Sequence, residues 1–134
     1  MPRKKRVAKK TKKKVEKKES AVGKGIVILT KTPYSKLSKE ERNGKNLYID
    51  VTGLQKFSSP NLMIFGKNKD PTSIVLLLEQ ILEGINVNFV KIESLEPFLL
   101  NISKLELKRF LSYLRDFLMM RNIELLIGGN YEEE

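Results

Sequence analysis

DPTSIVLLLEQILEGINVNFVKI, residues 70–92, is the stretch whose reading decides the fold. Asp70 offers a side-chain oxygen to the first free amides of a helix, and Pro71 suits the first helical position because its missing N–H has no partner to lose. The apolar run from Ile74 to Leu78 carries that helix to about residue 83, where Gly84 stops it. Residues 87–92 then read as a strand, enriched in β-branched and aromatic side chains. A capped helix that hands over to a nearly all-apolar strand is one half of a βαβ unit in a parallel sheet.

Outward from this stretch the pattern repeats. On the N-terminal side, residues 26–30 and 46–51 (NLYIDV) predict strands one and two, and residues 62–65 predict strand three, ended by Gly66. Thr32-Pro33 disfavours helix at Thr32, but Pro33 can open a short helix over residues 33–42, closed by Asn43-Gly44. Residues 52–61, rich in Ser, Gly and Pro, are a loop. On the C-terminal side, Pro97 breaks the chain after strand four, and residues 97–100 predict a short helical piece. Ser103 and Glu106 form a capping box for a long helix, with Leu107, Phe110, Leu111, Leu114, Phe117 and Leu118 at spacings of three and four. That helix ends near Arg121-Asn122. Residues 123–127 are strand five, terminated by Gly128-Gly129.

The expectation is an α/β fold with a mostly parallel five-stranded sheet and flanking helices, covered on at least one face. It spans residues 25–130, between a basic arm (1–24) and an acidic tail (131–134). No internal repeat is present.

Charge divides along the same line. Of 26 basic residues in the chain, twelve lie in the arm: Arg3, Lys4, Lys5, Arg6, Lys9, Lys10, Lys12, Lys13, Lys14, Lys17, Lys18 and Lys24. Only Glu16 and Glu19 oppose them, so the remainder holds 14 basic and 14 acidic residues, and the whole net charge of +10 sits in the arm. With Val7 and Val15 as the only larger apolar side chains from Pro2 to Ser20, the arm cannot bury enough surface to offset its ordering entropy. It is expected to be disordered until it meets a polyanion. Twelve cations give sequence-independent, salt-dependent binding to RNA or DNA phosphates, and nothing in the arm offers base readout. A solubilising tail, a tail for an acidic protein, and a nuclear localisation signal at residues 2–6 are the blander readings of the same charges.

Several chemistries are excluded by composition. The chain has no Cys and no His, so it carries no disulfide, no thiolate metal site and no imidazole base. Its apolar runs are far shorter than the roughly 18 to 20 residues that span a bilayer, and no apolar segment follows the N-terminal charges. A soluble, cytoplasmic protein with no membrane partner is expected. Gly23-Lys24-Gly25 is not a phosphate-binding loop, because Lys18 stands where the first glycine belongs and the segment precedes strand one. The turn that follows strand one, Thr30-Lys31-Thr32-Pro33-Tyr34-Ser35, contains no glycine, and Pro33 removes one amide donor.

That turn nonetheless carries a resemblance. A first strand followed by TKTPYSKL, then NLYIDVTG, a helix from Pro71, NFVKIESLEPFLLN, a long helix and a last strand resemble RecA/KaiC-type ATPase domains. The likeness is to the archaeal branch in which the phosphate loop is replaced by an R/T-P-Y turn. It implies a RecA-like, phosphate-loop-free sheet kept as a non-catalytic scaffold, with no cofactor. In that family a strand ends in Asp-Ser, the aspartate helping to hold Mg²⁺; here the matching positions are Glu93 and Ser94, which also read as a simple helix cap.

Three further features invite a function. Asp50, Glu93 and Glu96 lie near strand ends and could meet at the carboxyl edge of the sheet. Lys91 interrupts an apolar strand, so either the sheet is open there or a carboxylate such as Asp50 pairs with it. On the helix over residues 104–121, Tyr113 and Met120 are left over from the core stripe and could mark a protein interface. The sequence thus reads as a non-enzymatic, nucleic-acid-associated protein, with ribosome or ribonucleoprotein (rRNA) preferred over DNA. A residual nucleotide-binding regulator and a protein-only adaptor are the alternatives.

Overall fold

The computed structural model describes residues 24–65 and 70–129. The arm from Arg3 to Lys18, with its expected disorder, and the acidic tail lie outside the described residues, as does Gly66. Five strands, β1 (Gly25–Leu29), β2 (Leu47–Asp50), β3 (Leu62–Ile64), β4 (Phe89–Ile92) and β5 (Glu124–Ile127), form one sheet in the order β3-β2-β1-β4-β5. Every strand pairing is parallel.

This order explains why the two faces differ. From β1 the chain steps one way to β2 and β3, then crosses back and steps the other way to β4 and β5. Right-handed crossovers place connections that run in opposite directions on opposite faces. The return connection contains α2 (Pro71–Gly84), and the step from β4 to β5 contains α3 (Lys104–Met119). Both helices therefore cover one face. Ile26, Ile28, Ile49, Val90 and Ile92 from the sheet pack there against Ile74 and Leu78 of α2 and Leu107, Leu111, Leu114 and Leu118 of α3, all fully buried. Each such side chain contributes about 1.5–3 kcal/mol by leaving water.

The helix boundaries follow local chemistry. Asp70 accepts from the Thr72 amide and Pro71 opens α2. At α3, Ser103 accepts from Glu106 N–H while the Glu106 carboxylate reaches back to the Ser103 amide, as the capping box predicts. Asn122, in the left-handed region at φ 59°, turns the chain out of α3.

One predicted helix is divided. Residues 33–42 form a 3₁₀ turn, Tyr34–Lys36, and a separate one-turn helix, α1 (Lys39–Arg42). Leu37 and Ser38 between them are extended, because Leu37 packs on the sheet and Ser38 makes its own capping box with Glu41. Residues 97–100 likewise belong to a 3₁₀ turn, Glu96–Leu100. Strand four begins at Phe89, two residues later than predicted.

On the second face, Tyr34 and Leu37 close over Leu29, Tyr48 and Leu62, with the Tyr34 and Tyr48 rings edge to face at 5.5 Å. Farther along, Phe89 lies flat over Gly25, in the space a side chain there would fill. Lys91 is exposed on this face, lining an open cavity with Glu40 and Glu41 of α1. The choice left open for Lys91 resolves in favour of the open sheet. Asp50 does not pair with it; that carboxylate has other partners.

Candidate functional site at the carboxyl edge of the sheet

In an open parallel sheet, ligands settle at the carboxyl ends of the strands, where the strand order reverses direction. Here that point falls between β1 and β4, whose next residues are Thr30–Thr32 and Glu93–Ser94. The two segments are bonded to one another. The backbone amides of Thr30, Lys31 and Thr32 all donate to a single oxygen, Glu93 Oε1, at 3.0, 2.8 and 3.0 Å. Thr30 Oγ1 donates to the Ser94 carbonyl at 2.7 Å and accepts from the Ser94 amide at 3.2 Å.

The geometry follows from register. Ile28 is opposite Ile92, and Glu93 N–H donates to the Ile28 carbonyl, so Glu93 leaves β4 level with the start of the turn. After β5, Gly128 and Gly129 run close beside the same segment. A Cβ on Gly128 would stand 2.6 Å from the Glu93 carbonyl oxygen, and Gly129 has φ 80°.

Pro33 has no amide to offer, and the next donor, Tyr34 N–H, goes to Asp50 Oδ2 at 2.9 Å. Asp50 is fully buried; its other oxygen accepts from the Thr52 amide and hydroxyl at 2.8 and 2.7 Å. Ser35 N–H donates to Gln55 Oε1. Every amide from Thr30 to Ser35 is thus held by a side chain from another strand or loop.

Burial pushes the Glu93 carboxyl upward, but hydrogen bonds from the Thr32 side chain and from the Lys31, Thr32 and Thr30 amides outweigh it and hold the group below the ordinary glutamate value. Glu93 is therefore an anion at neutral pH, fixed among donors. Glu96 turns outward to an exposed ion pair with Lys31 at 3.3 Å. The three carboxylates reach the same edge but accept from different groups, Glu93 and Glu96 meeting the amide and the ammonium of Lys31, and among the described residues no group of three acidic side chains could hold a metal ion. Glu93 caps no helix. Ser94 performs part of that role, its hydroxyl accepting from the Glu96 amide at 3.3 Å.

Sequence reasoning found the turn and Glu93 but not their contact. The strand order that makes β1 and β4 neighbours has no local signature.

On α3, Tyr113 is half exposed, yet it stacks on Phe117 and donates to Glu79 Oε2 at 2.8 Å. Arg121 covers the Phe117 ring at 4.0 Å. Met119 and Met120, 69 % and 83 % exposed, are the larger unused apolar surface there. Of the predicted phosphate-binding cations, Lys24 alone is described. It is exposed, and its carbonyl accepts from the Asn88 amide at 2.7 Å, so it belongs to the sheet as much as to the arm. No helix among the described residues is long and apolar enough to cross a membrane.

The class defined by this geometry is a parallel α/β sheet whose carboxyl edge, at the reversal of strand order, is occupied by its own carboxylate. In comparisons with known proteins, no family model, no curated protein and no solved structure matches the chain.

Proposed function

We propose that the protein is a non-catalytic tether for nucleic acid, in which a polycationic arm grips phosphates and the α/β domain is a docking scaffold. The observation that carries this reading is the charge partition: residues 1–24 hold the entire +10, and the rest is formally neutral. Binding by such an arm is driven by counterion release and ignores sequence. RNA in a ribonucleoprotein or ribosome is the preferred target over DNA.

The commitment of the Thr30–Ser35 amides to internal acceptors supports a scaffold in place of a nucleotide enzyme, since those are the donors a phosphate would need. The scaffold is RecA-like in the order of its motifs along the chain. Met119 and Met120 at the end of α3 favour that surface as its protein contact.

The test compares RNA and DNA binding across a salt series for the full chain and for a full-length variant in which the cations from Arg3 to Lys18 are Gln. The native chain should lose affinity steeply with salt, by up to about 0.9 log units per log unit of salt for each phosphate contacted on duplex DNA. The variant should bind far more weakly with a slope near zero. Equal affinity and equal slope for the two chains would remove the hypothesis.

A further inference from the structure

We propose that the turn Thr30–Thr32 is a receptor for a small oxyanion and that Glu93 is its tethered occupant, so that free phosphate or a free carboxylate takes the same three amides once the Glu93 side chain is cut back. This stands on the geometry of the turn and is independent of the arm.

Three successive N–H groups converge on one oxygen with lengths within 0.2 Å of each other. Successive amides pointing into one concavity form an anion-binding nest, and hydrogen bonds to an ionised acceptor are the stronger kind. The nest is also held in shape by groups other than Glu93. Thr30 is fastened to Ser94 in both directions, Tyr34 N–H is fastened to Asp50, and Pro33 fixes one dihedral between them. The receptor should therefore outlast removal of its occupant. It also sits where a parallel sheet accepts ligands. An external anion cannot compete in the native chain, because a side chain already in place has a far higher effective concentration than millimolar solute.

The experiment is chemical rescue with inorganic phosphate and with acetate, against sodium chloride at matched ionic strength. Glu93→Ala should melt about 5–10 °C below the native chain, the loss expected when several charge-assisted bonds go unmade in a domain of this size. Phosphate or acetate at about 50 mM should restore part of that loss by binding the folded state. The amide resonances of Thr30, Lys31 and Thr32 should move together and saturably during the titration, and the native chain should show no such movement. Comparing the two anions shows whether the nest prefers a planar or a tetrahedral oxyanion. If Glu93→Ala is unfolded without added anion, phosphate should raise its folded fraction and chloride should not. Glu93→Gln, which keeps an acceptor oxygen in the nest, should fold and stay indifferent to phosphate and acetate. The proposal is overturned if Glu93→Ala responds to phosphate and acetate no more than to chloride, or if Glu93→Gln responds as strongly as Glu93→Ala.

Discussion

Glu93 is a half-buried carboxylate held by backbone amides, with no ion pair to a cation among the described residues. Its folded pKa lies below the ordinary value, so the sign of its pH effect is set. The stability it contributes is complete above the unfolded-state pKa and is lost as pH falls through the folded one. Thermal midpoints of the native chain should be steady from neutral pH to about pH 5 and decline below about pH 4. In Glu93→Gln that decline should be shallower, as measured by circular dichroism melts; an unchanged acid slope would mean that the carboxylate is not held as described. The residue type and position were visible in the sequence. Its partners were not, because a carboxylate meets the turn after β1 only if β4 lies next to β1, and that adjacency comes from the sheet as a whole. Asp50 repeats the lesson, since its bond from the Tyr34 amide spans a turn whose path no pattern in TKTPYSKL reveals.

Elements with capping chemistry at their amino ends were the legible ones. Asp70-Pro71 opens α2, and Ser103 with Glu106 opens α3, where the sequence placed them. Ser103→Ala should lower stability by about 1 kcal/mol in urea denaturation, because the Glu106 amide then loses its acceptor at an exposed helix end. A cost below about 0.3 kcal/mol would show that water replaces the cap without penalty. The divided segment over residues 33–42 failed for a reason that propensity does not contain. Leu37 adopts extended backbone so that its side chain reaches Leu29 and Tyr48 on the second face, and Ser38 then restarts the helix with Glu41. Tertiary packing of the half-buried leucine overrode a weak local preference.

At the scale of the whole molecule, alternating strands and helices made the parallel α/β class legible, but not the strand order or the unequal covering of the two faces. Those depend on the direction of each crossover, and the short links after β1 and β2 could not be assigned to a face before the order was known. The charge partition predicts that arm and domain are separable. The full-length variant with Gln in place of the cations from Arg3 to Lys18 should keep the native melting midpoint within about 2 °C, since surface charges away from packed features change stability by roughly 0.5 kcal/mol or less. A larger drop would mean that the arm is part of the fold.

β1 runs through the middle of the sheet, with Lys24 at its amino end bonded to Asn88 and Thr30 at its carboxyl end bonded to Ser94. Six residue steps along the strand separate these poles by about 20 Å. The chain preceding Lys24 therefore joins the domain at the pole opposite the Glu93 turn. On the tether proposed above, the domain would be held from one end and free at the other, and a partner meeting the free end would not compete with the polymer for one surface.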